Sequence, residues 1–91
     1  MAFEMRGTAG RVCWSYHVAA RVEKFSIVGI RKSKKSALRA RLVDADPFKV
    51  QQSPLVFEVT RPSPSGGTNT LRWPLQEVAI QGDVLTATID Q

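Results

Sequence analysis

Between Arg11 and Lys24 the chain alternates, RVCWSYHVAARVEK, with Val12, Trp14, Tyr16, Val18, Ala20 and Val22 on one side. Arg11, Cys13, Ser15, His17, Ala19, Arg21 and Glu23 fall on the other. Successive side chains of an extended chain point to opposite faces, so this period of two predicts a long, half-buried strand. A strand of that length usually bends, and the small pair Ala19-Ala20 is the expected place for a bulge. Phe25, Ile27, Val28 and Ile30 follow, as a second strand or as the continuation of the first around a corner. RKSKKS then interrupts the apolar pattern as a charged loop.

Segment 37–45, ALRARLVDA, admits two readings. Leu38, Ala40 and Leu42 alternate with Arg39, Arg41 and Val43, which is a strand pattern. Leu38, Leu42 and Ala45 also meet the spacing of a helix face that Ser36 would cap. The strand is favoured, because it pairs naturally with the preceding apolar run and because Asp46-Pro47 ends either element. Phe25 to Asp44 then reads as a β-hairpin with a cationic tip, the stretch around which the rest of the chain is organised.

Asp46 to Pro54 is expected to be a connection with Phe48 and Val50 pinned to the core. Leu55 to Thr60 predicts a strand with Leu55, Phe57 and Val59 on one face. Arg61 to Thr70, RPSPSGGTNT, is a loop, joining a hairpin or crossing between layers. Leu71 to Trp73 is a short strand stopped by Pro74, which implies an edge or a kink. Glu77 to Ile80, a three-residue turn at Gln81-Gly82-Asp83, and Val84 to Ile89 complete a second hairpin. Met1 to Gly10 is expected to be a flexible lead-in, ordered if anywhere at Phe3 and Met5.

Six or seven short strands at this spacing define the expected fold: all-β, a single small antiparallel barrel or sandwich, with an OB-like or SH3-like barrel favoured. At most one short helix is expected, near 36–45. The 91 residues suit one domain, placed at 11–91, and a core of this size leaves room for a second subunit to add burial.

Charge changes the picture more than composition does. The net charge is +5, and residues 1–49 hold eleven of the thirteen Lys and Arg but only four of the eight Asp and Glu. Arg31, Lys32, Lys34 and Lys35 crowd the tip, and Arg39 and Arg41 recur two apart, on one face of an extended chain. This asymmetry points to a polyanion or an acidic protein partner, against the plainer reading of a solvated surface. The leading expectation is a nucleic-acid-binding barrel, with these six residues on phosphates and Trp73 or Tyr16 available to stack a base. Aromatic residues usually serve cores, however, and Trp14, Tyr16 and Trp73 fall on expected core faces. The alternative is a β-sandwich that docks a protein along a sheet edge or self-associates as a homo-oligomer.

Other chemistry is thinly supplied. The single Cys13 reads as a small core residue; without a disulfide, a reducing cytoplasm is the expected location. His17 reads as a surface residue, and Asp44 and Asp46 as turn formers. Gly66-Gly67 lacks the spacing of a phosphate loop. No run of ~20 apolar residues spans a membrane, and MAFEMRGTAG lacks the apolar core of a signal peptide. Neither an enzyme nor a metal or other cofactor is expected.

Overall fold

The computed structural model describes residues 4–90; Phe3, one of the two anchors expected for the lead-in, lies outside them. The regular structure described is antiparallel strand apart from one helical turn: β1 (Glu4–Gly7), β2 (Gly10–Trp14), β3 (His17–Gly29), β4 (Lys35–Val43), β5 (Leu55–Pro62), β6 (Thr68–Pro74), β7 (Gln76–Gln81) and β8 (Val84–Asp90). They form one eight-stranded sheet in the order β6-β5-β2-β3-β4-β8-β7, with β1 paired to β3 off this path. Eight strands exceed the six or seven expected, since part of the lead-in forms β1 and the first long alternation divides in two. The path does not close, because β6 and β7 at its ends do not pair.

That division corrects the first expectation. Arg11 to Lys24 is a hairpin turning at Ser15-Tyr16, with Trp14 opposite His17 and Ser15 at a φ of 54°. Tyr16 is fully exposed and Val18 faces out, against their expected core positions. The alternation concealed the turn because two phase changes cancel. A two-residue turn exchanges the faces of the returning strand, and a bulge exchanges them back. The register runs Cys13 to Val18 and then Val12 to Ala20, leaving Ala19 as the extra residue, at the small pair where a bulge was expected. Val12, Ala20 and Val22 therefore share the buried face as though the strand had never turned.

β3 is the continuous alternative for Phe25 to Ile30: one strand of thirteen residues serving two parts of the sheet. Its first half pairs with β2 and its second half with β1, on the same edge, while β4 lies along the other edge. A second irregularity, at Glu23, shifts the buried positions from Val22 to Phe25 and Ile27. The core lies between the two parts. Phe57 of β5, with no exposed surface, meets Phe25 edge-on at a centroid separation of 5.0 Å and stacks on Trp73 of β6 at 6.0 Å. Leu38, Ala40, Leu42, Leu85, Ala87 and Ile89 complete it from β4 and β8.

Segment 37–45 is a strand through Val43, with alternate residues buried. The single helical turn among the described residues, α1, lies instead at Pro47–Val50, where Asp46 caps it by accepting from the Phe48 N–H at 3.0 Å. Val50 is buried as expected, but Phe48 is 77% exposed: in one turn of helix, residues two apart cannot share the buried side. Arg61 to Thr70 proves to join the β5–β6 hairpin, and Pro74 ends an edge strand. Gln81 pairs with Val84, so the last turn has two residues, Gly82-Asp83, not three. No helix among the described residues is long and apolar enough to cross a membrane.

Candidate functional site

The β3–β4 hairpin carries most of the predicted residues. Its tip closes with the Ile30 N–H donating to the Lys35 carbonyl at 3.0 Å, and the Ser33 hydroxyl accepts from the Lys35 N–H at 3.1 Å. Lys32 takes a positive φ of 63° in this turn. Arg31, Lys32 and Lys34 stand exposed at the tip, whereas Lys35 enters β4, half-buried, and donates to the Gln76 side chain at 2.8 Å.

Alternation along β4 turns Leu38, Ala40 and Leu42 inward and therefore Arg39 and Arg41 outward. Register then decides their neighbours. Arg39 lies opposite Ser26 and Arg41 opposite Lys24, while Arg6 of β1 lies on the other side of Ser26. These side chains rim a groove of about 620 Å³ on the outer face, floored by Phe25, Ala40 and Val84. Gly7, directly across from Phe25, leaves the ring its room; a Cβ there would stand 2.5 Å from it.

The cations of this face are not equivalent. Arg41 is held by Asp83 at 2.9 Å and Glu23 at 3.6 Å, and Arg6 by Glu4 at 2.8 Å. The hydrogen bond to Asp83, then its charge, push the Arg41 guanidinium pKa above its ordinary value. Among the described residues, Lys24, Arg31, Lys32, Lys34 and Arg39 have no ion-pair partner. Arg6 and Lys24 escaped the sequence reading. Arg6 carried no signal, standing in the presumed lead-in. Lys24 had one, since the buried phase slips between Val22 and Phe25 and brings Lys24 level with Arg41.

Trp73 does not join them. It lies half-buried on β6, its ring against Phe57. Tyr16 is exposed, but at the β2–β3 turn, so that all thirteen residues of β3 separate it from the cationic tip.

A different charge arrangement occupies the outer face of β2, β5 and β6. Arg11, Glu58 and Arg72 form one cross-strand rung, with Nε of Arg11 2.7 Å from one carboxylate oxygen and Nε of Arg72 2.9 Å from the other. The two guanidinium groups cover the carboxylate, leaving the Glu58 side chain 11% exposed while theirs remain half exposed or more. Burial works to raise its pKa, but the two hydrogen bonds and two positive charges outweigh it and hold Glu58 below the ordinary carboxylate range. Beside it Cys13 is buried, and that burial pushes its thiol up, away from a reactive thiolate. No group of three or more His, Cys, Asp or Glu is arranged to hold a metal among the described residues.

A cleft of about 770 Å³ lies between α1 and β7, with Leu42, Val50, Leu55, Leu75 and Ile80 among its walls. Gln51, Gln52, Gln76 and Glu77 also line it.

Comparison with protein-family models, with characterised proteins and with solved structures finds no match to this chain.

Proposed function

We propose that the outer face of the β3–β4 hairpin binds nucleic acid through its phosphates. The observation that carries this reading is the concentration of five unneutralised cations, Lys24, Arg31, Lys32, Lys34 and Arg39, on one hairpin beside a groove. An exposed cluster of one sign raises the local concentration of a polyanion and gains affinity by releasing its counterions. Arg41, neutralised by Asp83 and Glu23, orients the groove wall and contributes little net charge. Recognition is of the backbone and not of sequence, since among the described residues the one aromatic lining the groove, Phe25, is buried beneath it. In this reading the sheet, bent along β3 around one core, is an open barrel.

The test is a titration with labelled oligonucleotides, single-stranded and duplex, across several salt concentrations. The expected result is a logarithmic affinity falling linearly with log salt, at a slope of about −3.5 for a single strand or about −4.5 for a duplex with five contacts. Reversing Lys32 and Lys34 to Glu together should weaken binding by about tenfold or more. No binding of either form near ~50 mM salt sinks the proposal.

A second reading has its own observation, the outer edge of β7, unpaired among the described residues, beside a cleft lined by both apolar and polar side chains. An extended segment of another chain pairs with such an edge and places alternate side chains in the cleft. Light scattering tests its self-associating form: mass rising with concentration supports it, and a constant monomer mass removes it.

A further inference from the structure

We infer that the partner of the cationic hairpin is a single strand, lying along the outer face, and not a duplex read in its major groove. The inference rests on the proposed nucleic-acid reading and deepens it.

A basic two-stranded ribbon enters a major groove only if it stands clear of its neighbours, and this one does not. β1 flanks β3 as far as Val28, and β8 flanks β4 as far as Lys35. At the level of Ser26 five strands lie abreast, Arg6 on β1, Ser26 on β3, Arg39 on β4, Thr86 on β8 and Ala79 on β7. At about 4.8 Å between strands that sheet is roughly 19 Å wide, against a major groove of about 12 Å. Only residues 31–34 project beyond it, too few to carry Arg39 or Lys24 into contact with base edges.

The same geometry suits an extended strand. The free cations run in file from the tip down to Arg39 and Lys24, a track of about 20 Å along the hairpin. Between tip and groove the outer face offers apolar contact: Val28, 41% exposed, lies opposite the exposed Ala37, and Ile30 is 40% exposed, with Glu4 across from Val28 on β1 and Lys35 beside Ala37 at the margins. Val28 and Ala37 would meet sugars and base faces, which a duplex keeps stacked and covered. Phosphates would rest on the cations at either end of this patch.

The experiment compares one oligonucleotide free and annealed to its complement, in the same buffer, against the unaltered protein and two variants, Arg39→Glu and Val28→Ser. Single-strand affinity should exceed duplex affinity by about tenfold. Arg39→Glu should weaken single-strand binding and flatten its salt slope by about one or more. Val28→Ser should weaken it by about threefold with the slope unchanged, since it removes apolar contact and no charge. Thermal melting of both variants close to that of the unaltered protein ties the losses to the surface. Equal or tighter binding of the duplex, or a Val28→Ser variant that binds the single strand unchanged, overturns the inference while leaving phosphate binding in place. Failure of both forms to bind overturns the proposed function itself.

Discussion

Two outer faces of one sheet carry arginines, and Arg11 and Arg72 on one meet a different fate from Arg39 on the other, whose neighbours Arg6 and Arg41 are ion-paired. On β2, β5 and β6, Arg11 and Arg72 converge on Glu58 and complete a rung. On β3 and β4, Arg39 finds Ser26 across from it and no acid among the described residues, and the tip adds three more free cations. The difference is one of register. Cross-strand neighbours stand within about 5.5 Å, so an acid directly opposite an arginine neutralises it, and a serine in that place does not. A paired arginine belongs to the protein's own structure; an unpaired one on an exposed face leaves its charge to a partner.

The largest effect expected concerns what joins the two faces. Phe57→Ala should cost about 3 to 5 kcal/mol, because it removes a wholly buried ring that meets both Phe25 and Trp73. Thermal unfolding followed separately by tryptophan fluorescence and circular dichroism should fall together as one transition. Two separate transitions would mean that the halves are independent and that comparing them as parts of one sheet is wrong.

Glu58→Gln should cost about 1 to 2 kcal/mol at neutral pH, by removing the anion two arginines share. Because the folded-state pKa of Glu58 is depressed, its contribution is fully present above the unfolded value of about 4.3. It is lost as pH falls through the lower folded value. The stability gap between the unaltered protein and the variant, measured by urea unfolding, should therefore close on acidification below that range. A gap independent of pH would show that the rung holds by shape alone.

On the other face charge and stability should separate. Lys32→Glu with Lys34→Glu should leave the unfolding free energy within about 0.5 kcal/mol, since both are exposed and unpaired, while abolishing most polyanion affinity. A marked loss of stability would make the tip a structural element instead.

The smallest effect sharpens the rule of pairing. Asp83→Asn should release Arg41 and raise polyanion affinity by about two- to threefold, with a salt slope steeper by up to about one. Unchanged affinity would place Arg41 outside the bound partner's reach.

Much of the fold was legible along the chain, and the failures are instructive. Alternation located β4, β5 and β8, and on β5 the inward Leu55, Phe57 and Val59, because burial of every second side chain is written directly in the residue types. It missed the turn at Ser15-Tyr16 because a bulge at Ala19 restored the phase that the turn had changed. Of the candidate site, the tip and Arg39 were legible as a run of charge. Residue type alone makes Trp73 a candidate to stack a base, although its place along the strand already points to the core, and the stacking on Phe57 agrees with the core reading.

Residue types by themselves determined the antiparallel all-β character, the inward sets of the regular strands, and a chain whose positive charge gathers around one hairpin. Tertiary structure alone decided which cations keep their charge. Arg41 lies 42 positions from Asp83, and Glu58 lies 47 from Arg11, so those pairs exist only when strand register brings distant segments together. Coulomb attraction at a few ångströms is strong enough to claim a side chain, and no local pattern records who its neighbour across the sheet will be.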